Sequence, residues 1–261
     1  YKQSNSHTAI KPFLQTDEME SIQDSVKKSY LKKSDSLFTT LSERKIKRKS
    51  KFSVTGIFDS YFGYEQASQS NTKLLLGGGI QLNGKIKNKL FLSTTFLSGN
   101  AAYPSYLDSA IKNSAVIPGF GSAYKSNLGY SNQYYAGYVS YSPNKIFNFQ
   151  AGRDKQFWGD GYRSLFLSDA STAMPFFKIS TTIWKLKYVS LFTSMKDITK
   201  SPHSKNDFLN KYGTFHYLSW NVSKRINLSL FESIIWQGTD TNRVRSFDVN
   251  YLNPVIFFRP V

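Results

Sequence analysis

The chain has 261 residues, with 34 Lys+Arg against 17 Asp+Glu for a net charge of +17, 16% aromatics and no cysteine. A disulfide scaffold is excluded, and without an apolar run near the roughly 18 residues of a helical span so are transmembrane helices. Mean hydropathy is −0.40 although 17 Tyr and 21 Phe are present, the combination expected of strands with one greasy and one polar face.

Residues 1–50 contain no Gly, and Met19, Ile22, Val26 and Tyr30 fall at helical spacing between charged positions. A second short helix is expected over Ser36–Glu43, around Leu37, Phe38 and Leu41. The segment reads as a basic helical or disordered appendage, and it opens at Tyr1 on a polar stretch, as expected if a signal peptide has been removed or the chain continues upstream. Six of the eight residues Arg44–Lys51 are cationic, a block able to meet phosphates of a membrane surface, lipopolysaccharide or nucleic acid, or simply to remain solvated.

From Phe52 the period changes to two: Phe52, Val54, Gly56 and Phe58 share one face while Ser53, Thr55, Ile57 and Asp59 share the other. Similar segments run over about 72–86, 89–98, 132–142, 146–154, 175–184, 186–196, 212–223 and 226–237, most of them longer than the roughly five or six residues of an average soluble strand. Their connections alternate. Short ones fall at Lys87-Asn88, Ser142–Lys145, near Lys185 and at Lys224-Arg225; long ones cover roughly 99–131, 155–174 and 197–211. Short turns at one end and long loops at the other are the layout of an outer-membrane barrel, which places the turns and residues 1–50 in the periplasm. Phe62, Tyr64, Tyr134, Tyr135, Tyr138, Tyr141, Trp184, Trp220 and Trp236 sit where interfacial aromatic belts are expected. Gly77–Gly79 suggests a bulge or a sharp curl. Nine strands is an odd count for a single-chain bacterial barrel, and Asn250–Val261, broken by Pro254 and Pro260, reads as a loop entering a further strand, so 51–261 is expected to be an incomplete barrel.

The densest constellation is GRDKQFWGDGYRSLFLSD over 152–169, followed by AMPF at 173–176. Together with the later FESIIWQG and FDVNYLNPVIFFRP, it resembles the capsule assembly Wzi-like proteins, including the gliding motility RemB branch of Bacteroidota. The resemblance implies an all-β, antiparallel transmembrane barrel of about eighteen strands in the bacterial outer membrane, of which nine are seen here. It further implies a non-enzymatic role in surface polysaccharide (capsule) binding and assembly or in gliding motility at the cell surface. From the residues themselves, Trp158 and Tyr162 offer flat faces for sugar stacking, Arg153 and Arg163 can pair with acidic sugars, and Gln156 and Asp160 can hydrogen-bond hydroxyls. The same residues also suit a charge network that pins the loop, with Gly159 and Gly161 permitting its turn.

No catalytic set is legible. Asp154 and Asp160 are carboxylates without further support for a glycosidase pair. His7, His203 and His216 are scattered without metal-ligand spacing, and no cofactor motif is present. Expected partners are surface polysaccharide, outer-membrane lipid or lipopolysaccharide, and envelope motility or secretion proteins, but not nucleic acid, because amphipathic strands account for the rings better than base stacking. The alternatives are a pore or scaffold component of a secretion or motility complex, and a soluble β-sandwich lectin.

Overall fold

A computed structural model describes residues 7, 10–12, 44–45, 50–66, 71–198, 208–240, 243–244, 251 and 253. The helices expected within 19–43, residues 46–49 of the basic block and nearly all of Asn250–Val261 lie outside the described residues.

The chain is predominantly antiparallel β. Two short strands, β1 (Ile10–Lys11) and β2 (Arg44–Lys45), precede three long ones, β3 (Ser50–Glu65), β4 (Asn71–Ile86) and β5 (Leu90–Ala101). A helix, α1 (Ser105–Ser114), and three short strands, β6 (Val116–Ile117), β7 (Gly121–Ser122) and β8 (Tyr124–Ser126), lead into β9 (Gly129–Tyr141) and β10 (Phe147–Asp154). After β11 (Phe157–Trp158) come the long strands β12 (Met174–Ile183), β13 (Leu186–Asp197), β14 (Leu209–Asn221) and β15 (Asn227–Gln237), then β16 (Thr239–Asp240) and β17 (Arg243–Val244). The nine long strands are those expected from the alternation, and they pair as a meander in the order β15-β14-β13-β12-β10-β9-β5-β4-β3. The sheet is open, which corrects the expected closure into a barrel: a ring needs β15 to bond the first strand, and the outer edge of β3 is taken by β2, with Arg44 opposite Phe52. No described helix is long and apolar enough to cross a membrane, which says nothing about strands.

Turn chemistry fixes one end of the sheet. Lys87 and Asn88 both hold positive φ (50° and 54°), the left-handed pair that matches strand twist in a tight hairpin, and Lys89 N donates to Ile86 O at 3.2 Å. Asn144 Oδ1 accepts from the N–H groups of Ile146 and Phe147, both at 2.9 Å, and Ser223 Oγ accepts from Arg225 and Ile226 N–H. Trp184-Lys185 closes the fourth short turn between the paired Ile183 and Leu186. The connections 66–70, 102–128, 155–173 and 198–208 all fall at the opposite end, because every long strand runs antiparallel to its neighbour.

Residues directly opposite one another in a ladder share a face, so register defines the two surfaces. One row runs Gly56–Ile80–Phe96–Tyr135 across β3, β4, β5 and β9, and Ile80, Phe96 and Tyr135 are about half exposed. This apolar face also carries the exposed Phe58, Phe62, Leu76, Leu82 and Val139. The other, mixed face carries polar ladders: Ser93 Oγ to Asn83 Oδ1 at 2.8 Å, and Asn148 Nδ2 to Ser140 Oγ and Ser142 Oγ, each at 2.8 Å. Gly152 lies between Tyr138 and Phe176 on this face, with φ +153°, and a Cβ there would run into the Gly137 carbonyl. Its missing side chain lets the Tyr138 and Phe176 rings approach to 6.5 Å over it.

On the mixed face of β12–β15 sits the main core: Trp158, Phe176, Val189, Leu191, Phe215 and Tyr217, with Ile10 from the chain start. β1 pairs antiparallel with β11, Ile10 opposite Trp158, as a strap across the sheet. The His7 ring bonds Ser219 Oγ at 2.9 Å, and Lys178 Nζ donates to Pro12 O at 3.4 Å. The sequence gave no sign that this early segment returns to the sheet, since its nearest strand partner lies more than a hundred residues away.

Candidate functional site

The long-loop end is built by 102–128 and 155–173. α1 was not expected there, although Pro104 followed by Leu107 and Ile111 at four-residue spacing, with Asp108 and Lys112 likewise, is a helix signal. It docks through its first turn: Ser105 N and Oγ donate to the Glu65 carboxylate at 2.7–3.0 Å, an anion where the helix dipole favours one, and Lys73 pairs with Glu65 at 3.3 Å. α1 buries Ile111 against Ile117, Ala123 and Tyr130, with Tyr103, Leu107 and Phe120 packed around them. The two loops are tied where Thr172 Oγ1 donates to Phe120 O at 3.0 Å.

The six residues singled out in the sequence do not converge. Trp158 is fully buried, its ring 5.8–6.4 Å from those of Tyr217, Phe231 and Phe215, so it is a core residue and offers no stacking surface. Gln156 is also fully buried, its Oε1 accepting from Lys178 at 3.4 Å. Arg153 shares the apolar face, its guanidinium 4.5 Å from the Tyr135 ring centroid. Asp160, Tyr162 and Arg163 alone stand out into solvent, Tyr162 at 93% exposure. Burial of Trp158 was hidden because a Trp between Phe157 and Gly159 reads equally as a core ring or a loop platform; only its pairing with Ile10 decides.

The exposed tip is held on both sides. Ahead of it Trp158 N donates to Leu167 O at 2.9 Å, and behind it Ser164 Oγ bonds the Trp158 carbonyl while accepting from Phe166 N at 3.0 Å. The Phe166 ring packs 5.1 Å from Phe231. At the loop's start Lys155 Nζ lies 5.5 Å over the Tyr134 ring; burial lowers its ammonium from the ordinary 10.5, with Asp169 and Asp154 acting the other way. A rigidly based loop thus presents a carboxylate, a phenol and a guanidinium, able to hydrogen-bond, stack on and pair with a polar ligand. Among the described residues no group of three or more His, Asp or Glu has the geometry to hold a metal ion.

Comparison with protein-family models, curated proteins and solved structures returned no match to this chain.

Proposed function

We propose that the chain is the N-terminal part of a bacterial outer-membrane β-barrel that binds surface polysaccharide at its loop end, without catalysis, in capsule assembly or gliding motility. The observation that carries this reading is the exposed apolar face of β3, β4, β5 and β9, on strands of 12–16 residues. A soluble protein rarely leaves so broad an apolar surface to water, whereas strands of roughly 9–11 residues suffice to cross a bilayer core. The short turns would face the periplasm and the Asp160–Arg163 tip the exterior. Closure would come from strands beyond β15.

The direct test is gel migration of the full-length protein from outer-membrane fractions with and without heating. A heat-dependent shift is expected, and its absence together with recovery in detergent-free solution would support a β-sandwich lectin instead. Retention of surface polysaccharide by Tyr162→Ala/Arg163→Ala cells then tests the ligand; unchanged retention sinks the tip as its site. A scaffold role in an envelope complex has one observation of its own, the wholly exposed Leu165 beside Tyr162, a side chain suited to a protein partner. Co-purification of envelope proteins from polysaccharide-free cells, abolished by Leu165→Ser, would favour that role.

A further inference from the structure

One register row at the loop end is unlike its neighbours. Asp59, Gly77, Gly99 and Asn132 are directly opposite one another on β3, β4, β5 and β9, all on the mixed face. The two glycines leave a floor without side chains between a carboxylate and a carboxamide. These four residues line a narrow pocket together with Leu75, Leu97 and Phe120. Asn132 is 3% exposed, yet neither its Nδ2 nor its Oδ1 has a partner, and the buried Tyr103 hydroxyl nearby has none either. A buried carboxamide with both ends unmet costs on the order of 1–3 kcal/mol per group unless something supplies the missing bonds.

We propose that this pocket is a subsite for one neutral hexose unit of a glycan, bound between Asp59 and Asn132 over the glycine floor; the proposal rests on the polysaccharide-binding reading above. Strands lie about 4.8 Å apart, so the Asp59 and Asn132 backbones are about 14 Å apart across three ladders, room for one six-membered ring and a hydrogen bond on each side. Asp59 accepts two hydroxyls, the Asn132 amide donates to one and accepts from another, and the Tyr103 hydroxyl does either. Phe120 supplies an apolar wall for the ring's C–H face; it hangs between Gly119 and Gly121, at φ +79° and +116°, and turns aside to admit the sugar. The Asp59 carboxylate repels uronic acids, which assigns acidic units of the glycan to Arg163 at the loop tip.

The test is saturation-transfer NMR on the full-length protein in detergent, with glucose, galactose and mannose as probes, beside binding of polysaccharide extracted from the producing cells. At least one hexose is expected to bind the wild type, and Asp59→Asn and Asn132→Leu each to weaken it by about tenfold or more. Heat-dependent gel migration reports folding, and Asp59→Asn, which keeps shape and volume, covers the case in which Asn132→Leu disturbs packing. Tyr162→Ala/Arg163→Ala should leave hexose binding unchanged. If the extract binds but no hexose does, or if Asp59→Asn binds as the wild type does, the subsite is wrong and the wider reading stands. If neither extract nor hexose binds, both fall.

Discussion

β3–β5 and β12–β15 have the same alternating sequence pattern, yet one wall is bare and the other is covered. On β3–β5 the apolar face is open, with Phe58 75% exposed and Phe62 73%. On β12–β15 the mixed face is filled by Ile10 and Trp158, and the opposite face is closed as well: Ser190, Phe192, Thr214, His216 and Glu232 are all buried there. Thr214 Oγ1 donates to Tyr251 O at 3.2 Å, and the Trp236 and Tyr251 rings meet at 4.6 Å, so protein covers this patch. The His216 ring, bonded to the Tyr188 hydroxyl at 2.8 Å, is tolerable on an otherwise apolar face because that cover excludes lipid. Alternation sets which residues share a face; it does not set what the face meets.

Four experiments break or sharpen this contrast. The largest effect is expected for Trp158→Ala, which empties the centre of the covered wall and should cost about 3–5 kcal/mol, read as a lower unfolding midpoint. A loss below roughly 1 kcal/mol would mean that Trp158 is not the core ring described. Next, Ile80→Arg on the bare wall should destabilise the inserted protein by about 2–4 kcal/mol, whereas a water-facing wall would tolerate it within about 0.5 kcal/mol. Because the chain lacks cysteine, Ile80→Cys and Ser190→Cys can each carry a single fluorophore. Brominated lipid should quench the first and spare the second, and equal quenching would remove the distinction between the walls.

The smallest effect lies above the sheet. Lys112, at 2.7 Å, and then the Tyr130 hydroxyl hold the Asp108 carboxyl below its ordinary 3.8. A carboxyl lowered on folding contributes its full stability above the ordinary value and loses it as pH falls through the folded one. The pair is largely exposed, so Asp108→Asn should cost α1 only about 0.3–0.5 kcal/mol at neutral pH and nothing at roughly pH 2, measured by hydrogen exchange of residues 107–114. An equal cost at both pH values would assign the effect to something other than this charge.

The exposed tip was half legible. Asp160, Tyr162 and Arg163 stand out where the sequence placed a loop, but Gln156 and Trp158 sink into the wall, a difference set by whether residues 10–12 reach them. The glycine pair was visible only as separate features, Gly77 within a suspected curl and Gly99 at the start of a loop. Nothing along the chain shows that they stand opposite one another, because β4–β5 register is set by the turn at Lys87–Lys89 together with pairing along both strands.

What the sequence by itself determined is the set of nine long strands, their tight turns and the segregation of apolar from polar side chains. Each follows from backbone geometry within a few residues: a period of two, a left-handed pair at Lys87-Asn88, and side-chain oxygens that accept their own turn's N–H groups. Only the tertiary structure decided that Trp158 is core, that β1 straps the mixed face, and that Asp59 and Asn132 stand opposite one another across two glycines. Those outcomes depend on contacts between residues tens to more than two hundred positions apart, where local preference is silent and packing and register decide.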